Sequence, residues 1–154
     1  MSSNVTYKYI RQNPDIHTYI KNADAAVKAQ GYTEHSFAHV EKVADTVKMI
    51  LEGLGYDERK VELGMIAAYL HDIGNVINRI DLAQSGAVMA FRLLDNLNMP
   101  AEEICDIISA IGNHDEGTAQ PLNAITAALI IADKTDVRRS RVRNIECLAQ
   151  DMHD

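Results

Sequence analysis

Apolar residues recur at intervals of three and four positions along almost the whole of this 154-residue chain. In the segment from 34 to 55, for example, they stand at Val40, Val43, Val47, Ile50 and Leu54 and share one helix face. Alternation with period two, which a half-buried strand would require, is almost absent. The content of 47% hydrophobic residues is also enough for a proper core. The pattern predicts an all-α domain.

The helical pattern predicts six or seven helices, over about 14–29, 34–53, 57–71, 82–97, 100–113, 121–135 and 139–151. Pro14, Pro100 and Pro121 stand near the starts of three of them, where a missing N–H costs little. The helix that begins at Asp57 is apolar nearly all round, which predicts a central, buried position. Residues 76–80 are the only mildly strand-like piece. No linker or repeat divides the chain, so we expect one domain over 1–154.

The charge and cysteine content exclude several classes of protein. A net charge of −7 opposes broad binding to long nucleic acid or to an anionic membrane, although a small, locally bound anion is compatible with it. Cys105 and Cys147 are isolated, as is usual in a reducing compartment. With no signal-peptide-like start and no apolar run that could span a bilayer, we expect a soluble, cytoplasmic protein. An exposed apolar helix face could support a homodimer.

Several residues could bind a metal ion. The His71-Asp72 pair ends an apolar run, but one nitrogen and one oxygen are too few for a tight divalent site. His35 and His39 are four residues apart and share a helix face, although surface histidines with this spacing are common. Asp133 ends another apolar stretch, where a helix cap or an ion pair would explain it about as well as a metal would.

The combination of these residues resembles the HD-domain metal-dependent phosphohydrolase superfamily. The segments HSFAHVEKVA, AAYLHDIGN and LIIADKTD are similar to its three metal motifs, in the same order, over about residues 32–136. The resemblance implies a compact HD-type helical bundle that holds one divalent ion through His39, His71, Asp72 and Asp133. A ligand set of nitrogen and oxygen fits Mn, Fe, Co, Ni or Zn. The implied reaction is hydrolysis of a phosphomonoester or phosphodiester of a nucleotide or small phosphorylated metabolite by metal-activated water.

Two departures separate the chain from the two-metal, GYP-type members of that superfamily. Leu82 stands where those enzymes usually have a histidine, and Asn113 stands where they have the first histidine of a pair. The GYP signature is also absent. We therefore expect a mononuclear site, or one with a weak second metal, and do not transfer the cyclic-dinucleotide substrate.

Catalytic and substrate-binding roles can be suggested for residues around this site. Asp72 or a neighbouring carboxylate could accept the proton of the attacking water, and the resemblance places His114 where it would either assist proton transfer or orient the phosphate. Asn75, Arg79 and Lys134 follow the metal motifs closely enough to contact a phosphate.

Two further residues, His35 and Arg138, could also contact the substrate. His35 can face the same cleft as His39. Arg138 lies in the most basic stretch of the chain. A solvated helix face is the favoured interpretation of this stretch, and a rim that binds a nucleotide or polyphosphate is the alternative.

Two other functions compete with hydrolysis. A sensor module would hold the metal and a phosphorylated ligand without turnover, and its sequence would look much the same. A di-iron HD-type oxygenase would need second-metal histidines, and their replacement by Leu82 and Asn113 counts against it.

Overall fold

A computed structural model describes residues 5–32, 36–115 and 119–136 of the chain. Within these ranges it contains seven α-helices, and no described residue lies in a β-strand. The helices are α1 Tyr7–Gln12, α2 Pro14–Ala29, α3 Phe37–Gly53, α4 Glu58–Leu70, α5 Leu82–Asn96, α6 Ala101–Gly112 and α7 Ala124–Thr135, and a 3-10 turn, Ile73–Val76, joins α4 to α5. The predicted all-α fold is confirmed. No described helix is long and apolar enough to cross a bilayer.

Side-chain caps explain where several helices begin. The Asn13 side chain accepts hydrogen bonds from the first turn of α2, with Pro14 in its first position. Asp57 accepts from the backbone N–H of Lys60, as expected for the start of α4. Asn123 caps α7 by accepting from Thr126. This last cap places the start of α7 three residues beyond the predicted one.

Other boundaries differ more from the prediction. The short helix α1 was not predicted, and α3 begins at Phe37 instead of near residue 34. The segment 76–80 is not a strand: it ends the 3-10 turn and continues as turns, where the Asn78 side chain accepts a hydrogen bond from the N–H of Ile80. The helix predicted over 139–151 lies outside the described residues.

Helix α4 forms the centre of the bundle, as its sequence predicted. Eight of its 13 residues are buried, and it contacts α1, α3, α6 and α7. Such a helix must be surrounded by apolar side chains, because its residues would otherwise be exposed to water on every side. Its C-terminal end delivers His71 and Asp72 to the interior of the bundle.

The 3-10 turn lies directly against the start of α5. A Cβ atom added to Gly74 would be 2.0 Å from the carbonyl oxygen of Leu82 and 2.7 Å from the backbone nitrogen of Gly86. Only glycine at position 74 permits this approach. The segment that follows Asp72 is therefore fixed against α5 by backbone contact.

An ionic cluster joins α4 to α6 and to the N-terminal segment. The Arg59 guanidinium donates to both carboxylate oxygens of Glu103, at 2.8 and 2.7 Å, and also to Glu62 at 2.7 Å and to the Val5 carbonyl at 2.9 Å. The backbone N–H of Tyr7 donates to the other oxygen of Glu62. We call Arg59, Glu62 and Glu103 the Arg59 cluster.

Candidate metal centre

Four side chains from three helices meet at one point. His39 lies in the first turn of α3, His71 and Asp72 directly follow α4, and Asp133 lies in the last turn of α7. His39 Nε2 is 3.3 Å from Asp72 Oδ2 and 3.1 Å from Asp133 Oδ1. His71 Nε2 is 3.2 Å and 3.3 Å from the same two oxygens. The structure therefore brings together the four residues proposed as metal ligands.

The distances among these atoms fit a divalent ion. Ligands about 2.1 Å from an ion are about 3.0 Å apart when they subtend a right angle and about 3.4 Å apart in a tetrahedron. The observed 3.1 to 3.3 Å lies between these values. His71 Nε2 is fully buried, yet it makes no hydrogen bond to any residue that the structure describes. Two nitrogens and two oxygens converging in this way are a suitable ligand set for Mn, Fe, Co, Ni or Zn.

The second nitrogen of each histidine is fixed by a hydrogen bond. Nδ1 of His39 is 2.8 Å from Asp136 Oδ2, and Nδ1 of His71 is 2.5 Å from the Ala68 carbonyl oxygen. A carbonyl or carboxylate oxygen can only accept here, so Nδ1 carries the proton and donates it. Both Nε2 lone pairs are then available to a metal ion, which is how protein metal sites commonly orient their histidines.

Asp136 was not identified from the sequence. It is buried, and its carboxylate holds the His39 ring by the hydrogen bond to Nδ1. Its position three residues after Asp133 was the available signal, because this spacing keeps both aspartates at the same end of α7. Asp136 therefore orients the His39 ring, while Asp133 brings its own Oδ1 to 3.1 Å from His39 Nε2.

The carboxylates dominate the electrostatics of the cluster. Burial lowers the pKa of His71, but the charges of Asp72 and Asp133 outweigh burial and raise that pKa well above its usual value. The pKa of His39 is raised in the same way against burial, by the adjacent carboxylates of Asp133 and Asp72. Burial raises the pKa of Asp133, yet the two histidines lower it overall. Asp133 thus remains anionic and would favour a bound cation.

His114 lies at the edge of this cluster. Its ring is buried and packs edge-on against His71 with 5.0 Å between centroids, and its Nε2 is 4.0 Å from Asp72 Oδ1. Its Nδ1 donates to the Ile111 carbonyl oxygen at 2.5 Å. Burial and the nearby His71 lower the pKa of His114. This histidine is therefore neutral, with the lone pair of Nε2 turned towards Asp72.

The other residues proposed to contact substrate differ in burial and in the contacts they make. Asn75 is buried and donates to the Asp72 carbonyl oxygen at 3.1 Å, while its own Oδ1 has no hydrogen-bond partner among the described residues. The Arg79 guanidinium lies 3.7 Å above the Tyr32 ring. Lys134 is exposed on α7. His35 and Arg138 lie outside the described residues.

The family model of the HD domain matches residues 36–140, which is more than half of the chain and includes all four candidate ligands. The chain belongs to the HD-domain family. The predicted superfamily is thereby confirmed, and the matched range includes His71-Asp72. Together with the His/Asp cluster, family membership supports a metal-dependent hydrolase.

This HD domain is similar to a curated archaeal protein and to a solved bacterial structure. It is 25% identical over 159 aligned residues to MJ1020, an uncharacterised protein of Methanocaldococcus jannaschii, with 89% of this chain and 61% of the relative covered. The chain therefore spans about three fifths of that relative. It also resembles the crystal structure of a predicted HD superfamily hydrolase from an uncultured Thermotogales bacterium, with a TM-score of 0.61, 22% identity and coverage of 95% and 79% of the two chains. This second likeness shows the fold.

At both positions where the chain departs from the two-metal HD enzymes, the residue has a structural role. Leu82 is buried at the start of α5 beneath the 3-10 turn. Asn113 ends α6, and its side chain donates to the Ser109 carbonyl oxygen at 2.8 Å. An aliphatic side chain offers no ligand atom, and an amide that serves as a helix cap is a weak one.

Proposed function

We propose that this HD domain hydrolyses a phosphoester of a nucleotide or small phosphorylated metabolite with the help of one divalent ion. The observation that carries the proposal is the convergence of the four candidate ligands, in which the Nε2 atoms of His39 and His71 each lie 3.1 to 3.3 Å from both Asp72 Oδ2 and Asp133 Oδ1. Four protein ligands leave further coordination positions for a water molecule and a phosphoryl oxygen if the ion is six-coordinate. Such an arrangement is suited to hydrolysis.

A divalent ion bound here would lower the pKa of water towards neutrality and offset the negative charge that develops on the phosphoryl group. The remaining work falls to the protein. Asp72 has a second oxygen, Oδ1, which lies on the side of His114. Either Asp72 Oδ1 or the neutral Nε2 of His114 can accept a proton from the attacking water. The water oxygen then bonds to phosphorus as the bond to the ester oxygen breaks, and the leaving alkoxide oxygen takes up the proton held by the base and departs as the alcohol.

The lowered pKa of His114 favours one of its two suggested roles. A protonated histidine would act as a cationic donor to the phosphate, whereas a neutral one offers an acceptor. Burial keeps His114 neutral, and its only N–H is already donated to Ile111. We therefore assign His114 to proton transfer in preference to phosphate binding.

Binding of the substrate anion falls to the groups around the cleft. The Arg79 guanidinium lies over the Tyr32 ring, and its Nη1 has no hydrogen-bond partner among the described residues, so an anion that reaches it would satisfy a donor. Asn75 could accept a hydrogen bond from a substrate hydroxyl through Oδ1. Lys134, His35 and Arg138 complete the proposed contacts, with a smaller contribution expected from the exposed Lys134.

The proposal is tested by metal analysis together with a panel of phosphomonoesters and phosphodiesters under Mn, Fe, Co, Ni and Zn. We expect about one equivalent of metal and measurable turnover. His71→Ala should lose both. His114→Ala should keep the metal and lose most turnover, whereas His17→Ala, which removes a histidine stacked on Phe37 outside the cluster, should change neither.

Other outcomes of these measurements would indicate a different function or a different role for His114. Bound metal without turnover on any substrate would indicate a sensor module. Two irons per chain would indicate an oxygenase. Equal loss of metal in the His71 and His114 variants would make His114 a ligand.

A further inference from the structure

An apolar surface lies on the side of α5 that faces away from the 3-10 turn. Gly86 contacts the turn, whereas Val88 is 70% exposed and Phe91 is 47% exposed. On one side of Val88 is a groove of about 450 Å³, whose lining is Ala87, Val88, Phe91, Cys105, Ile108 and Ser109. Val88 is therefore a ridge beside an open apolar groove formed by α5 and α6.

A second groove lies on the other side of the same ridge. Its volume is about 510 Å³, and Val88, Met89 and the strongly exposed Ile77 contribute apolar surface to it. Exposed patches of this kind commonly mark a contact surface, because water is poorly accommodated along them. A ridge between two grooves is also the shape by which helices pack against one another.

Four residues form a straight stripe along this face of α5. Asp81, Ser85, Val88 and Arg92 are spaced by four, three and four positions, so they align along the helix axis. One end of the stripe is negative, the middle is small or apolar, and the other end is positive. Neither Asp81 nor Arg92 forms an ion pair with any residue within the described ranges.

We propose that two copies of this chain dock through α5, antiparallel, across a two-fold axis between Gly86 and Ala87. The pair Asp81 and Arg92 and the pair Ser85 and Val88 have the same midpoint, so a single axis satisfies both. It places each Asp81 opposite Arg92 of the second copy, and each Val88 opposite the small Ser85. This proposal does not depend on the proposed hydrolysis.

The stripe favours a second copy over an unrelated partner. In a two-fold dimer the same patch must complement itself, which requires opposite charges at equal distances from the axis. A partner of uniform charge would match one end of the stripe and repel the other. The self-complementary pattern also fixes the antiparallel direction, because a parallel arrangement would place like charges together.

Sedimentation velocity over micromolar to submillimolar concentrations tests the proposal on the full chain. Val88→Asp should raise the dissociation constant of the dimer about 100-fold, because it places two carboxylates near the axis. Asp81→Arg and Arg92→Asp should each raise it about 10-fold, since each change occurs twice in the dimer. The double variant, which exchanges the two charges, should return to within about threefold of the parent chain.

Lys48→Glu on α3 is the matched control, a charge reversal at an exposed position outside the stripe that should leave the dimer unchanged. All the substituted side chains are exposed, and circular dichroism verifies that each variant is folded. A parent chain that stays monomeric throughout the range would overturn the proposal. A dimer whose dissociation constant is unchanged by Val88→Asp would also overturn it. So would a double variant in which the losses of binding free energy from the two single changes simply add.

Discussion

The Arg59 cluster and the metal centre both gather charged residues from distant parts of the chain, but they differ in how those charges are satisfied. Arg59 donates four hydrogen bonds of 2.7 to 2.9 Å, three of them to Glu62 and Glu103. At the metal centre, His71 Nε2 lies 3.2 and 3.3 Å from two carboxylate oxygens without hydrogen-bond geometry to either. The first cluster satisfies its own donors and acceptors, whereas the second is arranged so that a cation would satisfy it.

This difference separates a structural from a functional use of charge. A cluster whose donors and acceptors match contributes to stability, and removal of one member leaves the others unsatisfied. A cluster whose lone pairs converge destabilises the folded chain until an ion binds. Binding of the ion then raises the free energy of unfolding, and tighter binding raises it more. Substitutions in the two clusters should therefore have separable effects on metal content and on unfolding.

Asp72→Asn should have the largest effect. The amide keeps the size of the side chain but removes a negative charge and a strong ligand. We expect bound metal to fall below about one tenth of an equivalent and turnover to fall about 10³-fold or more, as for other groups that act together. Metal analysis and single-turnover assays would measure both. Full metal retention in this variant would contradict the assigned ligand set.

Removal of the metal should also destabilise the folded chain. An ion present at about 1,000 times its dissociation constant contributes about 4 kcal/mol to the free energy of unfolding. Chelation should then lower the melting temperature by about 10 °C for a chain of this size. The Asp72→Asn variant should show almost no response to chelator. A melting temperature unchanged by chelation of the parent chain would argue against a bound ion.

Substitution of Asp136 should weaken the metal centre by a smaller amount. Asp136→Ala removes the acceptor that orients His39, and we expect about 10- to 100-fold weaker metal binding. Asp136→Asn keeps an acceptor oxygen and should recover part of that loss. Metal titration of both variants separates orientation from general damage, because damage alone would not distinguish alanine from asparagine.

Arg59→Met should have the opposite effect to the substitutions at the metal centre, because it should lower stability without loss of metal. Loss of hydrogen bonds to Glu62 and Glu103 should lower the free energy of unfolding by about 2 kcal/mol, with no change in metal content. Urea titration of the chelated protein would measure the free energy of unfolding, and elemental analysis would measure the metal content. Loss of metal from this variant would show that the two clusters are coupled.

The pH dependence of the Arg59 cluster should be the smallest effect. Hydrogen bonds from Arg59 hold the pKa of Glu103 below its usual value of 4.5. The stabilisation is therefore complete above about pH 4.5 and is lost as the pH falls through the lower, folded-state pKa. The difference in unfolding free energy between the parent chain and Glu103→Gln should shrink over that acidic range. A constant difference would exclude this ionic contribution.

The sequence predicted the helices whose periodicity was strong and missed what depends on distant contacts. Helix α4 was identified as central because it is apolar all round, whereas the short α1 has only Ile10 as a buried residue and gave little signal. The hydrogen bond between His39 and Asp136 joins residues 97 positions apart, and that between Arg59 and Glu103 joins residues 44 apart. Local patterns carry no information on such pairs. The four candidate ligands were accessible only through their resemblance to family motifs.

The contact between Gly74 and α5 has a consequence for the size of the ion. Because the segment after Asp72 lies against the Leu82 carbonyl oxygen with no room for even a methyl group, Asp72 cannot retreat in that direction to enlarge the coordination sphere. Calcium needs oxygen ligands at about 2.3 to 2.6 Å and six to eight of them, whereas transition ions accept fewer at about 2.0 to 2.2 Å. A rigid backbone contact outside the ligand set would thus select against large cations by their radius.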